Sequence, residues 1–524
     1  MHSRVRTIAR PLARSYNFAS SQYLEAFGTK PPVDIAKLRA DTVAALASFD
    51  AAAWTSDPMR TVVAGVPSSD AAATATTTTD AFDAENGAQL LSSAAEIDAV
   101  IEHLTTFRLP EGGRDLRVPI RAIEATLLTD HAATLIANQA VDFKKQDGVT
   151  EIEESIEANV IERTFNDQLW EDEVAGRVTI GRAPAFVGCV SNFSNFLDLC
   201  RKTLRNLELG VPCVVLSRSN TTQHMYRWFQ LLDQLLADHN VDRGLLTFIS
   251  ADITQQRRVM AALGEPSPLY LTGSRPVAAA IKELLPRTFS STGGPNTMVA
   301  TELSPEVVAA AQMSVTIENS GQCTAMRHMV VPNVATLGEV DSIFDGAESE
   351  MIASPSESLQ SGGFANLYTT WGTSFEAEDT YATHSGGAPV AYKLESATAP
   401  GGGDGAGFPY GVEENWRRAY LDVTSPASEA ELRDPAYLAS LAKWLVTEQP
   451  ITLAINGDSA ENGYPMALQL FEQVRVQFVR TPNQNQNQNM VVASVEATND
   501  YCTHGLITDI LSLPPLPSPL PPPN

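Results

Sequence analysis

Residues 185–217 read AFVGCVSNFSNFLDLCRKTLRNLELGVPCVVLS, and this stretch decides the fold class. It begins with a short apolar run, AFVGCV, which is followed by apolar residues at helical spacing up to Gly210 and then by a second run, VPCVVLS. Short apolar runs of this kind are typical of buried strands, and a glycine commonly ends a helix. The stretch therefore predicts a strand, a helix and a second strand.

The same alternation continues to residue 274. MYRWFQLLDQLLADH (225–239) predicts a helix before the strand LLTFIS (245–250), and ITQQRRVMAALG (253–264) predicts a helix before the strand PLYLTGS (268–274). Strands that alternate with helices predict an α/β fold with a parallel sheet covered on both faces. Such sheets bind ligands at the carboxyl ends of their strands. Those ends carry Ser191-Asn192, Ser217-Arg218 and Thr272-Gly273-Ser274.

Composition sets the broad class of the protein. The chain has 524 residues, of which 44% are apolar, so it can form two or three packed units and is not a disordered chain. Its 62 acidic and 36 basic residues give a net charge of −26, which would repel the phosphate backbone of a nucleic acid. No apolar run approaches the ~20 residues that a membrane-spanning helix needs. We therefore expect neither a nucleic acid nor a membrane as partner.

The first residues differ in charge from the rest of the chain. Residues 1–24 contain four arginines and several serines, and the first acidic residue is Glu25. Such a start is typical of an organelle transit peptide, with the mitochondrion as the expected compartment and a plastid as the alternative. A basic terminus without targeting function would look the same.

Cysteine and histidine spacing argue against metal and disulfide sites. The five cysteines are odd in number and lack CxxC spacing, so a disulfide framework or zinc ribbon is not expected. The histidines do not pair at helical spacing, and no GxxxxGK[ST] segment is present. We therefore expect no metal site and no NTP-binding P-loop.

The segment ENSGQCTAMRHMVVP (318–332) is the most distinctive part of the chain. A cysteine between a Gly-Gln pair and a helix-forming run can lie near backbone N–H groups, which lower the thiol pKa and favour a nucleophilic thiolate. A single cysteine in such a place is more often structural. By residue type alone, Cys323 is therefore either a nucleophile or a buried thiol.

Five ordered segments resemble motifs of the aldehyde dehydrogenase superfamily. VSNFSNF (190–196) is similar to its Pro-Trp-Asn-Phe/Tyr-Pro segment, ELGVPCVVLSRSNTT (208–222) to AAGNTVVLKPSE-x-T, and LTGSRPVAAAI (271–281) to the FTGS phosphate loop. FSSTGGPNTMVA (289–300) with NSGQCTAMRHMVVP (319–332) resembles ELGGK followed by N-x-GQ-x-CTA-x-R-x-x-VP, and VEENWRRAYLDV (412–423) resembles the EEIFGP box. The resemblance is clear from Gly181 to Pro332 and fainter on either side.

The resemblance implies an aldehyde dehydrogenase-like α/β fold, with a Rossmann-type parallel-sheet cofactor domain and a second α/β catalytic domain. The expected limits along the chain are a transit peptide at 1–24, a mainly helical N-terminal part at 25–180 and the dinucleotide-binding domain at 181–288. The catalytic domain follows at 289–475, an oligomerisation strand with a polar loop at 476–511, and a proline-rich disordered tail at 512–524. Within the N-terminal part, the low-complexity Ala/Thr tract from Ala71 to Thr79 predicts a loop or insertion. The strand-like MVVASVEA (490–497) suits pairing between copies, so we expect a homo-oligomer.

The resemblance also implies a chemistry. Cys323 as a thiolate would attack an aldehyde, and the Asn192 amide with the Cys323 backbone N–H would hold the oxyanion. Hydride would pass to NAD or NADP, and the thioester would be hydrolysed to the acid. Glu414 would hold the nicotinamide ribose, with Trp416 beside it. The structural alternatives are a strand-end turn residue for Asn192 and an exposed charge for Glu414.

Other positions are implied to bind the cofactor. Gly273 and Ser274 lie in the segment that resembles the phosphate loop, whose later glycine is Ala278 here. Ser217 replaces the lysine of the KPSE motif, and the adjacent Arg218 either contacts the adenosine ribose or a 2′-phosphate, or is a surface arginine.

The departures from the motifs bear on activity. Gly321-Gln322-Cys323 is one residue shorter than the family spacing, so an alignment from the Gly-Gln side would place Thr324 at the nucleophile position. Ser291 stands where the family has a glutamate base, and a serine is no base near neutral pH, which leaves Glu318 as a nearby candidate or coenzyme A as the acyl acceptor. The TGGxN segment is similar to that of the glutamate-semialdehyde (Δ1-pyrroline-5-carboxylate) dehydrogenases. The alternative function is a catalytically degraded relative that serves as a binding or assembly protein.

Overall fold

A computed structural model describes residues 34–80, 84–143, 152, 163, 166–189, 195–218, 221–273, 275–292, 295–316, 326–345, 381–386, 390–395, 419–448, 450, 452–456, 466, 469–470, 476–480 and 490–495. The predicted transit peptide (1–24) and the proline-rich tail (512–524) lie outside the described residues. The described chain forms two compact units that divide between Ser290 and Ser291, called here the N-terminal and C-terminal units. The domain limits derived from the sequence stay predictions.

The N-terminal unit contains a sheet of seven strands in the order β2-β1-β7-β6-β5-β8-β9. Strands β5, β6, β7 and β8 are parallel, and the short β1 adds to β7 in the antiparallel direction. The strands are β1 (Val62–Val63), β2 (Val66–Pro67), β5 (Ala185–Cys189), β6 (Cys213–Leu216), β7 (Leu246–Ile249), β8 (Leu269–Gly273) and β9 (Thr288–Thr292). The sequence-predicted strands near residues 185, 213, 246 and 269 are confirmed.

Helices cover both faces of this sheet because successive strand residues point to opposite faces and both sets are apolar. Val187 and Val215 pack on one side with α1, α4, α5, α6 and α7, whereas Phe186 and Val214 pack on the other with α3, α8 and α9. The helices are α1 (Ile35–Ala47), α2 (Ala51–Ser56), α3 (Ala94–Thr106), α4 (Arg117–Thr129), α5 (Ala132–Phe143), α6 (Asn195–Glu208), α7 (Gln223–Asp238), α8 (Ile253–Leu263) and α9 (Arg275–Leu284). The helices predicted from periodicity between residues 197 and 264 are confirmed.

The expectation of a loop over the whole Ala/Thr tract is wrong. Residues Thr74–Thr79 form strand β3, which pairs antiparallel with β4 (Glu85–Leu91) in a two-stranded hairpin. Threonine is β-branched and favours extended backbone, and here its pairing partner lies only a few residues further along the chain. Low complexity therefore concealed a strand.

The C-terminal unit contains an eight-stranded sheet in the order β12-β13-β14-β11-β10-β15-β17-β16. Its central strands β13, β14, β11, β10 and β15 are parallel, and β12, β17 and β16 are antiparallel to their neighbours. The strands are β10 (Asn296–Ala300), β11 (Met326–Val330), β12 (Ala382–Thr383), β13 (Val390–Glu395), β14 (Ala419–Thr424), β15 (Thr452–Asn456), β16 (Val476–Arg480) and β17 (Met490–Val495). MVVASVEA thus contains a strand as predicted, and its use between copies stays a prediction.

Helices again lie on both faces of this second sheet. One face packs against α10 (Pro305–Thr316) and α11 (Leu337–Asp341), and the other packs against α13 (Pro435–Glu448), which follows the short α12 (Glu429–Leu432). Two α/β units with mostly parallel sheets agree with the predicted fold class. Among the described helices, none has the length and apolar content needed to cross a membrane.

A buried histidine joins three adjacent strands of the second sheet. His328 on β11 lies between Thr297 on β10, 3.2 Å from Nδ1, and Thr424 on β14, 3.0 Å from Nε2. The Thr297 hydroxyl donates to the Pro295 carbonyl, so Nδ1 donates to Thr297 and Nε2 accepts from Thr424. Burial, aided by the positive charge of Lys393, lowers the pKa of His328 to about 3. The ring is therefore neutral in the folded protein.

This depressed pKa makes folding stability sensitive to acid. Below about pH 6.5 the unfolded chain binds a proton at His328 and the folded protein does not. The contribution of His328 to the free energy of unfolding is therefore complete above that pH and is lost on acidification. We expect the free-energy advantage of the wild type over His328→Gln to shrink by about 1–3 kcal/mol between about pH 7 and pH 4. Urea unfolding at both pH values measures this, with the partly exposed His131→Gln as control. An advantage that does not change with pH would contradict it.

Candidate functional site

The N-terminal sheet has a change of direction at β5. From β5 the chain proceeds outward to β6 and β7, whereas β8 pairs on the other side of β5. The helices that follow β5 and β8, α6 and α9, lie on opposite faces of the sheet. In open α/β sheets, this arrangement leaves a crevice at the carboxyl ends of the strands, in which ligands bind.

A buried lysine lies at this edge of the sheet. Lys202 on α6 is 1% exposed, and its Nζ donates to the hydroxyl of Thr272, the penultimate residue of β8. A buried ammonium group is costly unless it is paired or hydrogen-bonded. Lys202 therefore supplies a fixed positive charge beside the carboxyl end of β8.

Sequence reasoning missed Lys202, although a signal was present. The residue lies three positions after the fully buried Leu199, and residues at that spacing share one helix face. A lysine on the apolar face of a helix that follows a sheet strand is unusual, because lysine is almost never fully buried.

Ser217 and Arg218 lie at the same edge, directly after β6. The Ser217 backbone N–H donates to the Ile249 carbonyl over 3.0 Å, and its hydroxyl accepts from the Ala251 N–H over 3.3 Å. Gln256 Nε2 on α8 donates to the Ser217 carbonyl over 2.9 Å. The polar atoms of Ser217 thus join β6 to the end of β7 and to α8.

The turn that follows begins α7. The Arg218 backbone N–H donates to the Thr222 hydroxyl over 3.2 Å, which closes the turn on itself. Gly273 ends β8 on the far side of β5, so Ser217 and Gly273 share one edge of the sheet about 10 Å apart, two strand spacings. These three residues are the predicted cofactor positions that the structure describes.

The remaining predicted site residues lie outside the described part of the chain. They are Asn192, Ser274, Glu318, Cys323, Thr324, Glu414 and Trp416. For Ser291, the structure describes only the backbone, within β9.

Topology still relates two of their segments within the C-terminal unit. Residues 317–325, with Cys323, connect the end of α10 to the start of β11, and the segment with Glu414 leads into β14. Strands β11 and β14 are adjacent and parallel, with His328 opposite Asp422. The two strands that follow these segments in the chain therefore begin at the same edge of the sheet.

A buried ionic cluster fixes the helix that follows the Asn192 segment. Arg205 and Glu208 on α6 are fully buried, and Arg205 pairs with the fully buried Glu124 on α4 and, over 3.0 Å, with Glu208. Arg163 adds a second guanidinium to Glu124, and Arg121 pairs with Glu208 over 3.0 Å. Burial alone would raise the pKa of Glu124, but the two arginines outweigh it and lower the pKa below its ordinary value. The carboxylate therefore stays ionised inside the protein.

The two cysteines of the N-terminal unit whose side chains are described are structural. Cys200 is buried on α6, and its sulfur accepts a hydrogen bond from Trp228 Nε1 over 3.0 Å. Cys213 is buried on β6, and this burial raises the pKa of its thiol well above its ordinary value. Within the described residues, His, Cys, Asp and Glu side chains form no group of three that could bind a metal ion.

Comparison with solved structures identifies the fold. The chain is similar to an aldehyde dehydrogenase from Bacillus cereus in complex with NAD+, with a TM-score of 0.59 and 11% identity over 80% of this chain and 88% of that chain. It is also similar to a Δ-pyrroline-5-carboxylate dehydrogenase from Mycobacterium tuberculosis bound with NAD and cobalamin, with a TM-score of 0.57 and 16% identity over 93% of this chain and 94% of that chain. A variant of the Thermus thermophilus 1-pyrroline-5-carboxylate dehydrogenase matches with a TM-score of 0.53 and 12% identity, over 79% of this chain and 84% of that chain.

These matches establish the fold alone, because the identities are low. The chain has the aldehyde dehydrogenase fold, which confirms the fold expected from the sequence motifs. No protein-family model matches the chain, and no curated protein matches it either.

The burial of Cys200 and Cys213 predicts their reactivity. We expect iodoacetamide to leave both thiols unmodified in the folded protein near neutral pH and to alkylate both after unfolding in guanidinium. The reagent cannot reach either buried thiol, and burial also raises the pKa of the Cys213 thiol. Peptide mass spectrometry of the two samples measures this. Alkylation of Cys213 in the folded protein as fast as in the unfolded protein would refute the assignment.

Proposed function

We propose that the protein is an NAD(P)-dependent aldehyde dehydrogenase that oxidises an aldehyde or semialdehyde to the carboxylic acid through Cys323. Its fold is that of NAD-binding aldehyde dehydrogenases. The observation that carries the proposal is that β11 and β14, the strands that follow the Cys323 and Glu414 segments in the chain, are adjacent and parallel in the C-terminal sheet.

The residues at the carboxyl edge of the N-terminal sheet fit a dinucleotide. The strand order changes direction between β5 and β8, and α/β sheets bind such cofactors at the carboxyl ends of strands at this position. Lys202 places a buried positive charge there, next to the segment that resembles a phosphate loop, and a pyrophosphate is an anion. The bound nicotinamide would accept the hydride, which no side chain can do.

The chain's own residues would carry the other steps. The Cys323 thiolate adds to the aldehyde carbon, and the carbonyl π electrons move to oxygen to give a thiohemiacetal oxyanion. The Asn192 amide donates to this oxygen together with the Cys323 backbone N–H. When the oxyanion re-forms the carbonyl, the carbon loses a hydride and becomes a thioester. Water then adds to the thioester carbonyl and the carbon–sulfur bond breaks. The products are the carboxylic acid and the free thiol of Cys323.

Deacylation is the step at which this chain departs from the motifs. Ser291 replaces the glutamate that would activate water, and a serine hydroxyl is not a base near neutral pH. We propose Glu318 as the base. Coenzyme A is the alternative acceptor, because an external thiol attacks a thioester without a hydrolytic base.

The substrate and the compartment are further parts of the proposal. The TGGxN segment, together with the structural likeness to two pyrroline-5-carboxylate dehydrogenases, supports glutamate semialdehyde as substrate. The arginine- and serine-rich start supports a mitochondrial location. A homo-oligomer would be consistent with the expected strand at residues 490–497.

A second candidate is a binding or assembly protein that has lost catalysis. The shortened Gly321-Gln322-Cys323 spacing and Ser291 favour it, because both changes fall at positions that carry chemistry in the motifs. Only the first candidate function predicts turnover of an aldehyde, and a single activity assay therefore distinguishes the two.

Turnover should depend on the Cys323 sulfur and on the side-chain amide of Asn192. We expect purified protein to reduce NAD or NADP with a panel of semialdehydes, with or without coenzyme A. Cys323→Ser should abolish the signal, and Asn192→Ala should lower kcat about 10²–10³-fold, because it removes one oxyanion donor. Absorbance of the reduced cofactor measures this, and Cys213→Ser is the matched control. Absence of turnover by the wild type with every substrate would favour the second candidate, and activity in Cys323→Ser with loss in Thr324→Val would move the nucleophile to Thr324.

The buried charge of Lys202 should strengthen binding of the cofactor. We expect Lys202→Met, which keeps the side-chain length and removes the charge, to weaken NAD binding about ten-fold because an anionic ligand loses a buried cation. Titration calorimetry measures this, and Lys282→Met on α9, which is only partly buried, is the control. Unchanged affinity would show that Lys202 serves only to hold Thr272.

A further inference from the structure

The hairpin formed by β3 and β4 contacts the turn between β6 and α7. The Thr221 backbone N–H donates to the Thr79 carbonyl over 2.7 Å. Two residues later, Gln223 Nε2 donates to the Thr78 hydroxyl over 3.0 Å and to the Ala88 carbonyl over 3.1 Å. Both strands of the hairpin therefore hold the turn at its junction with α7.

Asp142, at the end of α5, connects the same elements from inside. Its Oδ1 accepts from Asn86 Nδ2 on β4, and its Oδ2 accepts both the backbone N–H of His224, over 2.7 Å, and the Nδ1–H of the His224 ring, over 2.6 Å. The Asp142 side chain is fully buried, and the carboxylate faces the N-terminus of α7, where the helix dipole favours a negative charge. Thr78 donates to Asn86 Oδ1 over 2.9 Å, which closes the network.

The packing at these contacts is tight, and the turn is strained. A Cβ on Gly87 would lie 2.5 Å from Gln223 Nε2 and 3.1 Å from the Thr78 hydroxyl, so a side chain here would displace the end of Gln223. Thr221 has a φ of +43°, a left-handed conformation that is unfavourable for a β-branched residue. Such strain persists only where surrounding contacts impose it, and the Thr79 carbonyl is one of these contacts.

We propose that the β3–β4 hairpin and Asp142 form a brace that holds the two ends of the connection from β6 to α7, at residues 217–218 and 221–222, in the positions that receive the adenosine half of the dinucleotide. The brace residues Thr78, Asn86, Asp142 and Gln223 are positioning residues. The proposal rests on the proposed function, because it takes from the sequence resemblance that Ser217 and Arg218 bind the cofactor. It gives the Ala/Thr tract a role at a distance from the chemistry.

Three substitutions in one strand test the brace in the full-length protein. Thr78→Val keeps the shape of the side chain and removes the hydroxyl that both donates to Asn86 and accepts from Gln223. Thr78→Ser keeps the hydroxyl, and Thr77→Val makes the same change at the neighbouring exposed position. We expect Thr78→Val to raise the Kd and KM for NAD about ten-fold with kcat within about two-fold, and the other two variants to match the wild type.

A glycine pair provides a second test. Gly87→Ala should displace Gln223 and raise the NAD Kd in the same way, whereas Gly112→Ala, whose new Cβ would have no neighbour within 4 Å, should not. Hydrogen exchange of the Thr221 amide should be faster in Thr78→Val and Gly87→Ala, with or without NAD.

The outcomes distinguish failure of the brace proposal from failure of the proposed function. A wild type that binds no dinucleotide overturns both the proposed function and the brace. Tight binding by the wild type with equal affinity in Thr78→Val and Gly87→Ala overturns the brace alone. A fall in kcat with unchanged NAD affinity also overturns it, because a positioning role at the adenosine half affects binding of the cofactor.

Discussion

Both sheets of this protein are covered by helices on both faces, and this constraint organises everything else. A parallel strand with apolar residues pointing both ways is stable only when each face is removed from water. In the N-terminal unit, Phe186 and Val187 are neighbours on β5, yet they belong to different hydrophobic layers. Because the faces are fully used, polar groups collect at the strand ends, where Ser217, Thr272 and Gly273 lie.

How much of this fold could be predicted from the sequence depends on how far apart in the chain the interacting residues lie. Strands and helices between residues 185 and 273 could be predicted because their apolar periodicity is a local property of the chain. Strand β3 could not, since a run of threonines has no apolar alternation and its stability comes from pairing with β4. Pairs such as Glu124 and Arg205 lie 81 residues apart, so no local pattern in either segment indicates the other.

The same distinction between local patterns and distant contacts applies to the candidate site. Ordered motifs led to the proposed cofactor and nucleophile segments, because such motifs are short and contiguous in the chain. They did not show that the polar atoms of Ser217 are used to join β6 to β7 and α8, or that Lys202 brings a charge to the end of β8. Both facts depend on contacts between elements distant in sequence. Conversely, the spacing of the motifs did not show that β11 and β14, which follow the Cys323 and Glu414 segments in the chain, are adjacent strands.

The ionic cluster around Glu124 has a consequence for how this region can be divided. Arg205 and Glu208 belong to the sheet-forming part of the chain, whereas their partners Glu124 and Arg121 come from the helices that precede it. A fragment cut at Gly181 would keep the Arg205–Glu208 pair but lose Glu124 and Arg121, so the buried ion pairs that join α6 to α4 would be broken. The N-terminal sheet is therefore not an exchangeable module, and recombination that grafts it onto another protein would have to carry α4 with it.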